Sequence, residues 1–180
     1  MADLFSALGA SGPIASPFTT FNFLVEIEVP NVSPTVASAA FSEADGLEMS
    51  IEPKTIREGG RNAGPIHLAG SVSYGQLTLK RGMTGNADLW SWFERAASDA
   101  GRGERASAEI LVLAADASTV QTRFVLEGCL PVKLKAPALS AKDGAIAIEE
   151  MQIVYETLTR RDDGTDVANV AAGLISSLTR

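Results

Sequence analysis

The chain is poor in the residues that carry most enzyme chemistry. It has one cysteine, one histidine, and 6% aromatic residues among 180. A lone cysteine, Cys129, forms no internal disulfide, which suits a reducing compartment. Beside Leu130-Pro131 it reads as a small buried apolar residue rather than a nucleophile. His67 stands between Ile66 and Leu68 in a glycine-rich stretch and has no evident Ser-His-Asp or Cys-His partners. It reads as a turn or interface residue. Asp162-Asp163 and Glu149-Glu150 are adjacent pairs, and neighbours on a strand point to opposite faces, so neither pair is a metal loop. No carboxylate pair stands out for glycoside chemistry. Gly59-Gly60 and Gly101-Arg102-Gly103 match neither phosphate-binding pattern. The expectation is a non-enzyme with no catalytic residues, no cofactor and no metal.

Positive charge is also scarce. Fifteen Lys and Arg face 22 Asp and Glu, a net charge of −7. Nucleic-acid binding needs basic surface to displace counterions, so this balance argues against it. It is compatible with a surface along which DNA slides without sticking. No apolar run approaches the ~20 residues that span a bilayer, and Met1-Ala2-Asp3-Leu4-Phe5 lacks the basic start of a secretory signal. The expected course is synthesis and folding in the cytoplasm, without membrane insertion. What is present is globular: 46% hydrophobic and 21% charged residues, enough for one domain with a core.

Residues 1–17, with Gly9, Gly12, Pro13 and Pro17, read as an N-terminal arm. Phe21, Phe23, Val25, Ile27 and Val29 alternate with Asn22, Glu26 and Glu28, the period of a half-buried strand; Leu24 breaks it. Asn31 to Ala40 reads as a loop. Ala40 to Asp45 and Leu47 to Ile51 read as strands, and Thr55 to Gly70 as a long glycine-rich hairpin-like excursion. Ser71 to Arg81 reads as one strand with a bulge at Gly75, where the apolar parity switches. From Ala87 to Ala100, Leu89, Trp92, Phe93 and Ala96 form one helical stripe, with Thr84 or Asn86 as cap and Gly101 as stop. Trp90 lies off that stripe. Arg105 to Ala114 and Gln121 to Gly128 read as strands, Pro131 to Pro137 as a short extended piece, and Ala145 to Leu158 as one long strand after the Asp143-Gly144 turn. Asp166 caps a short terminal helix that needs something to lie on. Strand following strand predicts an antiparallel sandwich or barrel with one flanking helix. Arg57-Glu58 and Lys80-Arg81 are either ordinary surface charge or partners for charges on a neighbouring copy.

The order of several short motifs resembles the tail tube family of contractile phages, whose relatives form the inner tubes of contractile injection systems. The matching pieces are Phe21-Asn22-Phe23-Leu24-Val25-Glu26-Ile27, Phe41 to Leu47, Arg57-Glu58-Gly59-Gly60, His67 to Gly70, Tyr74 to Gly82, Leu89-Trp90-Ser91-Trp92, Pro131-Val132-Lys133 and Ala147 to Met151. They run colinearly over residues 18–160. The chain departs from the family at Leu68-Ala69-Gly70, where Leu-Pro-Gly is common, and in continuing through residues 161–180. The resemblance implies an antiparallel β-sandwich or barrel domain over 18–160 and hexameric rings that stack into a tube with a continuous inner β-barrel. It implies self-association, with a sheath protein, baseplate or hub proteins and a tube terminator as further partners. DNA or protein cargo would pass through without specific binding, in a virion tail or injection-system particle. On this basis Arg57, Glu58, Gly59, Gly60, His67, Gly70, Lys80, Arg81 and Trp90 are expected at subunit or ring interfaces. Glu26, Glu28, Glu48, Glu52, Glu127 and Glu149 are the candidates for the lumen. The alternatives are a tube-initiating ring at the baseplate and, in a different class, a soluble effector-carrying ring or chaperone. A hydrolase on a β-barrel needs a clustered polar site, which the sequence does not offer.

Overall fold

The computed structural model describes residues 22–30, 37–39, 41–57, 59, 64–117, 119–139, 142, 144 and 146–162. The expected arm at 1–17, the terminal helix after Asp166, and Phe21, Glu58 and Gly60 lie outside the described residues. In chain order the elements are β1 (Phe23–Glu28), β2 (Ala37–Ala39), β3 (Glu43–Asp45), β4 (Met49–Ile51), β5 (Lys54–Ile56), β6 (Ile66–Leu68), β7 (Val72–Tyr74), β8 (Gln76–Gly82), α1 (Asp88–Ala97), β9 (Ala106–Leu113), β10 (Val120–Lys135), β11 (Ile148–Val154) and β12 (Thr157–Arg161). Every strand pairing among them is antiparallel. The expected class, mainly β with a flanking helix, is the observed one.

The architecture turns on β10. Its first half pairs with β9 on one side and β12 on the other; its second half, Leu130–Lys135, pairs with β11. Register shifts at Leu126/Cys129 and at Pro131/Lys133, with Gly128 at φ +70°, bend the strand between the two halves. The sheet runs β2-β1-β9-β10-β11-β8-β3 and so folds into two walls around one core. Val25, Ile27, Leu77, Leu79, Ala108, Ile110, Leu126, Met151 and Ile153 fill it, and α1 adds Leu89 and Trp92. Cys129 is buried among them as expected, and burial pushes its thiol up to about 12.

Helix α1 forms where the stripe predicted it. Asp88 sits in the first turn, Arg95 in the last, and the Asn86 Oδ1 accepts the Asp88 backbone N–H at 2.8 Å. The carbonyls of Glu94 and Arg95 accept the Ser98 N–H, ending the helix at Ala97, three residues short of the expectation.

Several strand expectations differ for identifiable reasons. Leu24, which broke the alternation of β1, packs with Leu111, Leu113 and Val120 in a small second cluster on the other side of the sheet. Part of the expected Asn31–Ala40 loop is the edge strand β2, and only Glu43–Asp45 of the strand expected at 40–45 forms. The single strand expected over Ser71–Arg81 is two strands in different sheets: β7 pairs with β4, whereas β8 pairs with β3 and β11. Gly75, whose N–H donates to the Glu48 carbonyl, marks the division. The expected final strand likewise divides into β11 and β12 at Tyr155-Glu156. Conversely, the pieces expected on either side of Pro131 are one strand, because the proline sits at a bulge where no ladder donor is required.

The break at Tyr155 carries structure. Its buried hydroxyl accepts the Glu48 N–H at 2.9 Å and lies 2.9 and 3.0 Å from the Gly46 and Glu48 carbonyls, to either of which it donates. Its ring meets Tyr74 at 5.8 Å between centroids. These contacts clamp the point where the chain leaves the main sheet after β3. Gly46 there holds φ +93°, and a Cβ would lie 2.0 Å from the Gln76 carbonyl oxygen. Gly46→Ala should therefore lower unfolding free energy by at least about 2 kcal/mol, from backbone strain plus the clash. Chemical denaturation of the two proteins measures it.

Candidate assembly surface

Between Gly46 and Gly75 the chain makes an arm of two short ribbons, β4 with β7 and β5 with β6. Ser50 and Ser73 share a hydrogen bond at 2.8 Å on one face of the first ribbon, and Met49, Ile51 and Val72 occupy the other. In the second ribbon Thr55 meets His67 at 3.3 Å, leaving Ile56, Ile66 and Leu68 on the opposite parity. Met49, Ile51, Ile56, Leu68 and Val72 are 45–58% exposed. Of the strand expected at Leu47–Ile51, Met49–Ile51 forms and is exposed, and Leu47 packs on the core. Isolated two-stranded ribbons are marginal in water, and apolar faces of this kind gain about 25 cal/mol per Å² when covered.

The residues expected at interfaces divide. Arg57 and Gly59 are exposed at the far end of the arm, and His67 is exposed on β6. Among the described residues no atom lies within 4 Å of a Cβ built on Gly59. Gly70 has an internal reason to be glycine: a Cβ would lie 2.0 Å from the carbonyl oxygen of Glu52, in the link between β4 and β5. Arg81 corrects the expectation, whereas Trp90 is half-buried and keeps part of its surface exposed. The Arg81 side chain is 3% exposed and its Nε donates to Glu149 Oε1, itself on a side chain 2% exposed. Trp90 Nε1 donates to Glu149 Oε2 at 2.9 Å, and Arg81 reaches the Asn86 carbonyl at 3.2 Å. Phe41 lies 5.9 Å beneath the guanidinium. Arg81, Trp90 and Glu149 thus hold the start of α1 against β8 and β11 inside one subunit. Glu149 cannot face a lumen, because the carboxylate satisfies two buried donors of its own chain.

The other acidic candidates do not gather on one face. Glu26 is half-buried on β1 opposite Glu109 of β9; burial first, then the Glu109 charge, raises its carboxyl above the usual range, with Arg123 opposing. Glu28 and Glu127 line an open cleft with Arg105 near the bend of β10. Glu48 and Glu52 belong to the arm and its root.

A pattern that the sequence reading did not find lies on the outer face of β3, β8, β11 and the second half of β10. Inward, Ala44, Leu79, Met151 and Leu134 form one cross-strand row packed on the core. Outward, the next row is Glu43, Lys80, Glu150 and Lys135, alternating in sign across four strands. Lys80 Nζ bonds Glu43 Oε1 at 2.8 Å; that bond, and then the charges of Glu43, Glu150 and Asp45, hold Lys80 above its ordinary range despite desolvation. Lys80, one of the interface candidates, meets Glu43 of its own chain on this face. The following outward row is Asp45, Thr78, Gln152 and Lys133. Only the pairing register reveals these rows, since their members are scattered from residue 43 to residue 152.

Among the described residues no three His, Cys, Asp or Glu side chains converge to hold a metal ion. No helix there is long and apolar enough to cross a membrane. The geometry offers contact surfaces: an apolar arm, an alternating polar face and open sheet edges.

Residues 19–159 match the family described as T4-like virus tail tube protein gp19. The chain belongs to this tail tube family. Among solved structures, a chain of the anti-feeding prophage baseplate is 26% identical with TM-score 0.74, covering 83% of this chain and 98% of that one. A chain of the anti-feeding prophage tube-terminating cap is 18% identical with TM-score 0.71, over 88% and 99%. A chain of the sheath–tube complex of the PVC extracellular contractile injection system is 16% identical with TM-score 0.69, over 83% and 95%, a likeness of fold. No curated protein matches the sequence. As a tail tube protein the chain is a structural tube component, and its surfaces are to be read as contacts.

Within this tail tube subunit the buried pair should matter for folding. Glu149→Ala leaves Arg81 buried without its carboxylate and should destabilise the chain by about 3–5 kcal/mol. Trp90→Phe, which removes one donor and leaves the ion pair, should cost only about 1 kcal/mol. Paired thermal and denaturant unfolding tests both.

Proposed function

We propose that this chain is a non-enzymatic subunit of the inner tube of a contractile phage tail or injection system, self-assembling into stacked hexameric rings. The observation that carries this is the fold of the tail tube family combined with an apolar arm left exposed among the described residues. The arm reaches a neighbouring subunit or the adjacent ring, burying Met49, Ile51 and Val72 there. Arg57 and Gly59 at its tip, with His67 on β6, belong to that contact; Glu58 and Gly60 are assigned to it on the family pattern.

The outer face of β3, β8, β11 and the second half of β10 lines the lumen. Its support is chemical: the rows Glu43-Lys80-Glu150-Lys135 and Asp45-Thr78-Gln152-Lys133 are polar throughout and balance three carboxylates with three ammonium groups. Such a wall stays hydrated and gives a passing DNA or protein cargo no specific site. A sheath, a baseplate or hub and a tube terminator are the further partners. The chain is made in the cytoplasm and built into the particle. One observation favours a second reading, a tube-initiating ring: the baseplate chain is more similar in sequence than the sheath–tube chain, 26% against 16%.

Negative-stain microscopy of the purified chain tests the proposal. Rings or tubes are expected; a monomer at high concentration would contradict it. Gly59→Val should reduce ring or tube formation at least tenfold while leaving the melting temperature within about 2 °C, since no described residue lies near that Cβ. A matching loss of the fold would place Gly59 in folding instead.

A further inference from the structure

The wall of β1, β9, β10 and β12 hides an apolar cluster on the side away from the main core. The pairing register sets Leu24, Leu111, Arg123 and Arg161 in one row and Glu26, Glu109, Val125 and Thr159 in the next. Both rows face outward, since Val25, Ile110, Phe124 and Leu158 at alternate positions pack into the core. Such a face should be wet. Instead Leu111 and Val120 are 0% exposed and Leu113 5%, and among the described residues Leu24 is the apolar side chain packed on them. Helix α1 sends Leu89 and Trp92 into the main core and so lies on the other side of the wall. Water is also kept from Gln121 Oε1, beside Val120, which has no hydrogen-bond partner among the described residues. The cover over this face therefore comes from chain beyond the described elements.

We infer that residues 163–180 are that cover, a terminal strap whose apolar stripe lies across the outer face of β12, β10, β9 and β1 on Leu24, Leu111, Leu113 and Val120. Position agrees. β12 runs antiparallel to β10 and brings Arg161 opposite Arg123, and the Asp162 carboxylate accepts the Thr122 hydroxyl at 2.7 Å. The chain beyond Asp162 thus sets out beside the Val120 end of β10. Pattern agrees: Val167, Val170, Ala171, Leu174 and Leu178 recur at helical spacing, a stripe too short to be stable without a surface beneath it. As a helix, residues 166–178 would span about 20 Å, and four strands make a face about 15 Å across. Charge agrees as well. Asp163 and Asp166 precede the stripe, and the edge from which it leaves carries Arg123 and Arg161. The N-terminal arm also leaves nearby, where the Asn22 carbonyl accepts the Leu113 N–H. Its stripe is shorter, Leu4, Phe5 and Leu8, and is followed by Gly9, Gly12 and Pro13. The family match ends at residue 159, so the strap lies outside the pattern shared with the tail tube family and does not depend on the tube reading. Docked, it replaces an apolar patch by its own polar side.

Thiol labelling of the full chain tests the strap. Leu24→Cys puts a thiol at the patch, and buried Cys129, its own thiol pushed up to about 12, reports whether the core stays closed. Adding Val170→Asp and Leu174→Asp should speed maleimide reaction of the L24C thiol at least tenfold with Cys129 still silent; adding Phe5→Asp and Leu8→Asp should leave it within twofold. An unchanged rate with the C-terminal pair, or a rise with the N-terminal pair alone, would overturn the inference. A second readout does not rely on aspartates that could unfold the chain. Leu24→Cys is combined in turn with Val170→Cys, Ala171→Cys and Leu174→Cys and oxidised at low protein concentration. At least one pair should close an intrachain disulfide, seen as faster migration on non-reducing gels. No bridge in any of the three would overturn the strap, and so would bridges formed solely between chains, which would put a second copy's segment on the patch.

Discussion

The structure depends on the bend in β10. One strand serves two walls: its first half carries β9 and β12, and its second half, among the described residues, carries β11 alone. Had the strand stayed straight, β9 or an equivalent would have covered both halves on that side. The bulges at Leu126/Cys129 and Pro131/Lys133 turn it out of that pairing and leave an open edge. The other end of the same wall is a strand of three residues, β3. An exposed edge is a liability in a free monomer and a means of assembly in a chain built to meet copies of itself.

Two further devices fix what surrounds that wall. The buried Arg81–Glu149 pair, with Trp90 on the second carboxylate oxygen, orients α1 behind β8 and β11. A buried ion pair contributes little net stability compared with apolar packing, but it admits few alternative arrangements, so its consequence here is one helix position. Tyr155 does the same at the root of the arm, where its hydroxyl joins the Gly46–Glu48 segment to the turn between β11 and β12. The arm beyond it can be exposed without loosening the core.

Much of this was legible in the sequence. The period of β1, the stripe of α1 and the glycine-rich excursion all follow from local pattern, and the ordered motifs pointed to the family. The site was less legible because it depends on pairing. Glu149 and Glu150 are adjacent, yet one is buried against Arg81 and the other lies in the outward row; only register and facing separate them. Lys80 and Arg81 divide in the same way, the first outward to Glu43 and the second inward to Glu149. Reading these residues as surface charges followed from their type, and burial overrode it. The break at Gly75 was misread as a bulge because local sequence does not say that the two halves of the strand join different sheets.

The central claim is that β3, β8, β11 and the second half of β10 form the inner wall of the tube. A cryo-EM reconstruction of tubes or rings assembled from the purified chain tests it most directly. The account predicts Glu43, Lys80, Glu150 and Lys135 facing the channel. A reconstruction in which this face turns outward would contradict it.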